Sequence, residues 1–500
     1  MRAKKALHNT LMGLFLEVTL AISGLIIPRL ILLYFGSTYN GITMSITQFL
    51  NVISLLTAGI GGVTRAALYK PLVSGDLDAI SAIIKATENH MKKVTIIFAT
   101  FLAIFSVIYM ILVLDDFSWT FSLSLVLIIG LGSYARYLCG LTYQMLLKAD
   151  QKLYIIFYIQ TLTTILNIII AATLITNGFS IHWVKFGSAI VFLLNPIGIN
   201  IYIRKKYKLV KNIRPDNHAI KQRWDAFAHK AANFAFVNTN IMLLTIFLDL
   251  KEVSVYAVYN AIILSVRKIV MRFSGGMVAA FGNMFAKKEY DLIEKTLSLL
   301  EIMTFSSTTI LFSSTSFLIL PFINIYTQSV QDVDYYRPLF ANILILSTVL
   351  TCLRIPYQSI VEAIGHFKQT RNGAIFEAIL IFLISLVLIQ NYGIIGAAIG
   401  MLSATLFRTC QFVIYLSKNI LQRSIFKFIN KCLTSVLAAT LIISINHWLL
   451  NDEPTTLIMW FVHGLITFSI ATLVTLAINY IFHNREMHYF MKKIRGLKKS

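Results

Sequence analysis

The chain has 500 residues, and 57% of them are apolar before its 24 glycines are counted, against roughly 45–50% with glycine included in a soluble domain. Only 13% are charged, about half the usual share. So little charge cannot clothe a water-facing surface, which excludes a soluble enzyme, and so much apolar content excludes disorder. The formal charge of +22 has a simpler cause than nucleic acid, because the cytoplasmic loops of membrane proteins collect Lys and Arg.

A lipid core roughly 30 Å thick takes about 20 apolar residues per helix. Fourteen candidate spans fit, at 11–34, 41–63, 92–114, 119–147, 153–176, 181–203, 231–248, 255–281, 299–326, 338–360, 373–390, 393–416, 431–450 and 457–482. The first follows a basic start, but its apolar run is too long for a signal peptide and no small-residue cleavage site follows. It is expected to remain as a span. Cys139, Cys352, Cys410 and Cys432 lie in or beside apolar runs, and the ten histidines form no ligand pattern, so no metal or cofactor is expected.

With the N-terminus placed in the cytoplasm, 34 of the 44 Lys and Arg residues fall on the cytoplasmic side. Only Lys251 and Arg337 fall outside, and eight lie within spans. That asymmetry obeys the positive-inside rule and supports the number of spans. Both ends are expected to be cytoplasmic, and 64–91 and 204–230 are the longest loops. The second is basic and reads as a linker with an interface-lying helix anchored by Trp224 and Phe227.

The chain also repeats itself across that linker. Tyr143-Gln144 matches Tyr357-Gln358, and Gly61-Gly62 matches Gly275-Gly276, both at an offset of 214. Asp76 and Asp78 then meet Glu289 and Asp291 after a drift of one residue. The expected fold is all-α and polytopic: a six-helix bundle (1–203), the linker (204–230), a second six-helix bundle (231–416), two further helices (431–482) and a basic tail (483–500). Six spans is an even number, so the copies enter from the same side and a pseudo-two-fold axis lies along the membrane normal.

A charge at the bilayer midplane costs at least about 2.5–3.5 kcal/mol. The deep cations are Arg29, Arg136, Arg267, Lys268 and Arg272, with Lys268 and Arg272 sharing one helical face. Lys185 reads as snorkelling at an outer end. Arg354 and Arg408 are within reach of the cytoplasmic side. Glu17 is the one clearly intramembrane acid, suited to charge pairing or ion coupling. Glu301, Glu362 and Glu377 fall at cytoplasmic helix mouths and read as solvated. The excess of positive charge calls for an anionic guest, and arginine's planar fork suits phosphate or pyrophosphate. The alternative is a set of ion pairs between Glu17 and arginines that lock the bundles. Polar residues of span 2 (Ser45 to Thr57) and span 7 (Asn238, Asn240) serve either sugar hydroxyls or helix packing, and the GAAIG at 396–400 suits close helix packing.

The segments PRLILLYFGSTYNG (28–41), GGVTRAALYKPLVSGDLD (61–78) and the Tyr-Gln, Ala, Gly-x-x-Lys pattern of 357–368 resemble the multidrug/oligosaccharidyl-lipid/polysaccharide flippase superfamily. The closest branch is that of the polysaccharide (Wzx-type, O-antigen or capsule repeat-unit) flippases. That resemblance implies a cell-membrane flippase, not an enzyme, carrying an undecaprenyl-pyrophosphate-linked glycan and serving polysaccharide assembly machinery. It places pyrophosphate on Arg29, Arg65 and Arg272, joined by Arg136 and Lys268 from the charge argument. The drug-efflux (MATE) branch relies on intramembrane acids, and the setting of Glu17, LFLEVTL, lacks a motif that matches it. A membrane polymerase or ligase is a third reading, disfavoured by the short outer loops.

Overall fold

The structure is a computed structural model that describes residues 2–57, 60–135, 141–210, 213–216, 227–272 and 277–489, with backbone alone for 2–7, 135, 227–233 and 279. The described residues are helical throughout apart from turns and short connections. This follows from the solvent: lipid offers no hydrogen bonds, so each backbone group must find its partner within its own helix.

The chain separates into two compact units, Met1–Phe234 with Asp249–Ser254, and Ala235–Leu248 with Val255–Ser500. The first holds α1 (Arg2–Phe35), α2 (Ser37–Leu50), α3 (Ile60–Ser74), α4 (Leu77–Leu112), α5 (Trp119–Ala135), α6 (Leu141–Ala149), α7 (Leu153–Thr176) and α8 (Ile181–Lys206). Here α1 packs on α7, α7 on α8, α8 on α5 and α5 on α4. Their core is aromatic and branched-aliphatic, with Phe98, Tyr109, Ile42 and Ile46 fully enclosed and Phe105 buried beside them.

The second unit is built from most of α9 (Phe227–Phe247) and α10 (Leu250–Arg272), then α11 (Met277–Ala286), α12 (Tyr290–Thr327), α13 (Pro338–Leu353), α14 (Ile355–Ala363), α15 (Phe367–Asn419), α16 (Phe426–Leu449) and α17 (Leu457–Phe482). Helix α12 is its spine and packs on α13, α16 and α17.

Among the described residues, ten helices are long and apolar enough to cross a membrane, and eleven if α2 and α3 are counted together as one span. The shorter apolar helices within α5 and α9 and the fold-back of α15 account for the remaining predicted positions. The molecule is a multi-pass membrane protein.

Helix α15 runs 53 residues, but Gly393 interrupts it with φ 54° and ψ −134°. That positive φ suits glycine alone at low cost. The two arms return antiparallel: the Phe376 and Phe407 rings lie 4.7 Å apart, and a Cβ at Gly400 would lie 2.1 Å from Ser385 Oγ. The GAAIG segment is therefore the contact face of this hairpin. Asn240 ties α9 to it, donating to the Ala397 carbonyl at 3.2 Å while accepting from Ser385 Oγ at 3.2 Å. This span-7 amide is thus committed to helix packing.

The segment 64–91 is helix rather than loop. Helix α3 continues to Ser74, Gly75 turns at φ 71°, and Asp76 caps α4 by accepting from the Ala79 amide at 2.9 Å. Helix α4 then runs 36 residues and α12 runs 38, about 54 and 57 Å at 1.5 Å per residue, so both project well beyond the lipid core. In the linker, 207–210 and 213–216 have no regular secondary structure, while Trp224 lies outside the described residues, as does the side chain of Phe227.

The repeat has a physical counterpart. Tyr143 donates to Glu88 Oε1 at 2.9 Å, and Tyr357 donates to Glu301 Oε1 at 2.5 Å. The tyrosines are 214 residues apart and the glutamates 213, so the matched motif makes the same bond in each unit.

Gly400→Ala forces Cβ against Ser385, and overpacking of this kind costs about 1–3 kcal/mol. The purified variant is expected to unfold at a clearly lower temperature. Gly24→Ala, whose Cβ meets nothing within 4 Å, is expected to leave the midpoint unchanged.

Candidate substrate site

The sequence-predicted residues divide between the two units. Arg29 follows Pro28 on α1 and is half-buried, as is Glu17. Twelve residues separate them, about 18 Å along one helix, so they do not pair with each other. Arg65 is exposed on α3, and its Nε donates to the Gly61 carbonyl at 3.0 Å. Lys268 and Arg272 are exposed one turn apart on α10. Arg136 lies outside the described residues.

The densest intramembrane charge lies elsewhere, within the second unit. Glu377, read from sequence as solvated, is buried and ion-paired on α15. Its Oε1 meets Arg354 Nη1 at 2.6 Å and its Oε2 meets Arg408 Nε at 3.4 Å. Arg354 and Arg408 are correspondingly buried, at 8% and 3% exposure, rather than reaching toward the cytoplasm. Arg408 also donates to the Thr370 carbonyl at 3.0 Å and to Gln411. Each group sits where one helix faces another: Thr370, Glu377 and Arg408 on the two arms of the hairpin, and Arg354 at the joint between α13 and α14.

A third guanidinium joins them. Arg267 of α10 lies 5.5 Å from the centre of the Phe236 ring, and Arg354 lies 5.9 Å from the same ring. The Nε atoms of Arg267 and Arg354 are enclosed and have no hydrogen-bond partner among the described residues. Among the described residues, two guanidinium groups thus pair with one carboxylate and a third stands against the same ring, an excess of two positive charges. Buried charge of this kind is costly unless it is compensated. The arrangement is therefore suited to an anion, with Arg267, the only half-buried member of the three, at its accessible edge.

A second node balances two cations, Arg423 and Lys431, against two acids, Glu301 and Glu486. Glu301 of α12 is 0% exposed; it meets Arg423 at 2.7 Å and 2.8 Å and Lys431 of α16 at 2.7 Å. Sequence placed it at a solvated mouth, whereas here it fastens the C-terminal pair of helices to the spine of the unit. Of the three glutamates read as solvated, Glu362 alone is exposed; it accepts from Gln358 at 2.7 Å. Lys431 continues to Glu486 at 3.3 Å, which also accepts from Ser298 at 2.7 Å. Burial alone would raise Glu486, but His483, Lys431 and Ser298 hold it down to about 2.

The buried nodes escaped the sequence reading because their partners are distant or at unmatched spacings. Arg423 and Glu301 are 122 residues apart. One signal was present: Glu88 and Glu301 recur at the drifted offset of the repeat, which marks Glu301 as part of it.

No protein-family model and no curated protein sequence matches the chain. Solved structures do. "Lipid II flippase MurJ, inward closed conformation" superposes with a TM-score of 0.74 at 17% identity, covering 96% of this chain and 100% of that one. A structure described as the inward-facing conformation of a multidrug resistance MATE family transporter gives 0.61 at 15% identity, covering 82% and 95%. The Vibrio cholerae MATE transporter VcmN in the bent form gives 0.55 at 14% identity, covering 83% and 96%.

Glu301→Gln leaves Arg423 and Lys431 buried against a neutral group, an unpairing that costs about 3–5 kcal/mol; loss of folded protein in a detergent thermal-unfolding assay is the expected result. Glu486 has a folded value below its ordinary 4.5, so its contribution is complete above that pH and is lost as pH falls toward 2. The unfolding midpoint of Glu486→Gln is expected to change less than that of the parent chain between pH 6 and pH 3. With the helices, the hairpin and the superpositions taken together, the chain has the fold shared by the MurJ and MATE structures.

Proposed function

We propose that the chain is a flippase of the cell membrane that moves an undecaprenyl-pyrophosphate-linked oligosaccharide outward by alternating access, in the assembly of a surface polysaccharide. The observation that carries this reading is the cationic excess around Glu377. A fold alone does not define a function, but two uncompensated guanidinium charges among membrane helices favour an anionic cargo over a cationic drug. Arginine forks bind pyrophosphate by parallel hydrogen bonds, and a low-dielectric setting strengthens them. Support at the level of fold comes from a protein named as a lipid II flippase, which is matched along its whole length.

In this reading the headgroup is received by Arg29, Arg65, Arg136, Lys268 and Arg272, and Arg267 is added to that set. Arg354 and Arg408 hold Glu377 and so keep the positive field in place. The chain's two six-helix bundles, related by the repeat, carry out the alternation while both termini remain cytoplasmic. The lipid tail stays in the bilayer.

A second reading, cation-coupled drug export, is favoured by the MATE structures, whose chains are covered to 95% and 96%, and by the half-buried Glu17. Drug resistance in an overexpressing strain separates the two.

The test is flipping of a fluorescent lipid-linked oligosaccharide by the purified chain in proteoliposomes. Arg267→Ala, Arg29→Ala and Arg272→Ala are each expected to lower the rate at least about tenfold, the loss of one charge-assisted contact, with unchanged reconstitution. Full activity in all three contradicts the anion site.

A further inference from the structure

The first unit contains a cavity of about 690 Å³ where α4, α6 and the end of α8 meet the start of the linker. That volume is within the range of about 300–1,000 Å³ typical of small-molecule sites. Its charged lining is Lys85 and Glu88 of α4, Arg204 of α8 and Lys208 of the linker, a balance of three positive charges to one negative. Glu88 is already engaged, accepting from Tyr143 and standing 4.0 Å from Lys85. Arg204 and Lys208 have no ion-pair partner among the described residues.

The wall is held in place. The Val210 amide donates to Ser81 Oγ at 3.0 Å, and the Asp216 amide donates to the Ala82 carbonyl at 3.2 Å. Tyr207 is fastened to the turn before α7, donating to Asp150 and accepting from Lys152 Nζ at 3.0 Å. The linker is therefore clipped along α4, and the cavity is a built feature of the unit.

The repeat shows what such a place requires. In the second unit the corresponding pair, Tyr357 and Glu301, is closed over by Arg423 and Lys431. The offset of 214 carries Arg423 onto Leu209, which is apolar and lines the cavity. The chain fills this space itself in one copy and leaves it open, with surplus cations, in the other. The cavity lies at the end of a membrane span that terminates in Arg204, Lys205 and Lys206, at headgroup depth. Basic pockets between helices at that depth bind lipid phosphates.

We infer that this cavity binds the phosphate-bearing headgroup of an anionic membrane phospholipid, with Arg204 and Lys208 on the phosphate and Tyr143 and Tyr207 beside it. The inference requires only that the chain spans a membrane, and it is independent of the cargo proposed above.

The test is retention of lipid by the purified full chain, read by native mass spectrometry after exchange into nanodiscs of phosphatidylglycerol or phosphatidylcholine. Retained phosphatidylglycerol is expected to exceed phosphatidylcholine and to fall roughly tenfold or more in the double variant Arg204→Gln with Lys208→Gln. The control Lys205→Gln with Lys206→Gln, at positions outside the lining, is expected to retain lipid as the parent does. Glu88→Gln removes the one negative charge and is expected to raise retention; a fall would indicate a merely structural site and overturn the proposal. Equal retention in parent and double variant, or equal loss in the control, also overturns it. Stabilisation by soluble glycerol phosphate with no lipid retained would replace the lipid by a free phosphate and refute the membrane assignment. Folding of each variant is checked by its unfolding midpoint, and Lys85→Gln substitutes if the double variant does not fold.

Discussion

The structure depends on how a lipid-embedded chain accommodates charge. With no water to solvate them, ionised side chains must be paired within the protein or left facing something that compensates them. The second unit does both. At Glu301 the account closes: two carboxylates, Glu301 and Glu486, balance the Arg423 guanidinium and the Lys431 ammonium, with a phenol hydroxyl on Glu301, and together they bind the last two helices to the spine. At Glu377 it does not close, because among the described residues Arg267, Arg354 and Arg408 outnumber a single acid.

The two nodes differ in consequence. A neutral node is structural, and its loss is a loss of folding. A node with excess charge stores an electrostatic demand that a guest can satisfy, and an anion that enters is held by groups already ordered by Glu377, Thr370 and Phe236. The preorganisation is local: Arg408 is fixed by a backbone carbonyl and Arg354 by a carboxylate, while Arg267 retains partial exposure. That division, two arginines held and one accessible, is what a site needs if it is to release its cargo as well as bind it.

The fold was largely legible in the sequence because hydropathy and the one-sided distribution of Lys and Arg are one-dimensional signals of a three-dimensional constraint. The hairpin of α15 was legible too, since the break between 390 and 393 and the GAAIG segment both follow from close backbone approach. What misled was the interior end of each long helix. Segment 64–91 carries Lys85 and Glu88 and reads as a loop, yet α4 extends beyond the lipid and is helical there. Glu301 and Glu377 lie near charged neighbours in sequence, so they read as solvated; their partners, Arg423 and Arg354, come from other helices and leave no spacing to recognise. The Tyr-Gln repeat is legible as a motif, but its chemistry, a phenol donating to a glutamate two helices earlier, is visible only in space.

The most direct measurement of the central claim is binding of undecaprenyl pyrophosphate and of undecaprenol, which lacks the pyrophosphate, to the purified chain in nanodiscs. The account predicts strong preference for the pyrophosphate, weakened by salt and lost in Arg267→Ala with Arg272→Ala. Equal binding of the two lipids, or preference unchanged in that double variant, contradicts it.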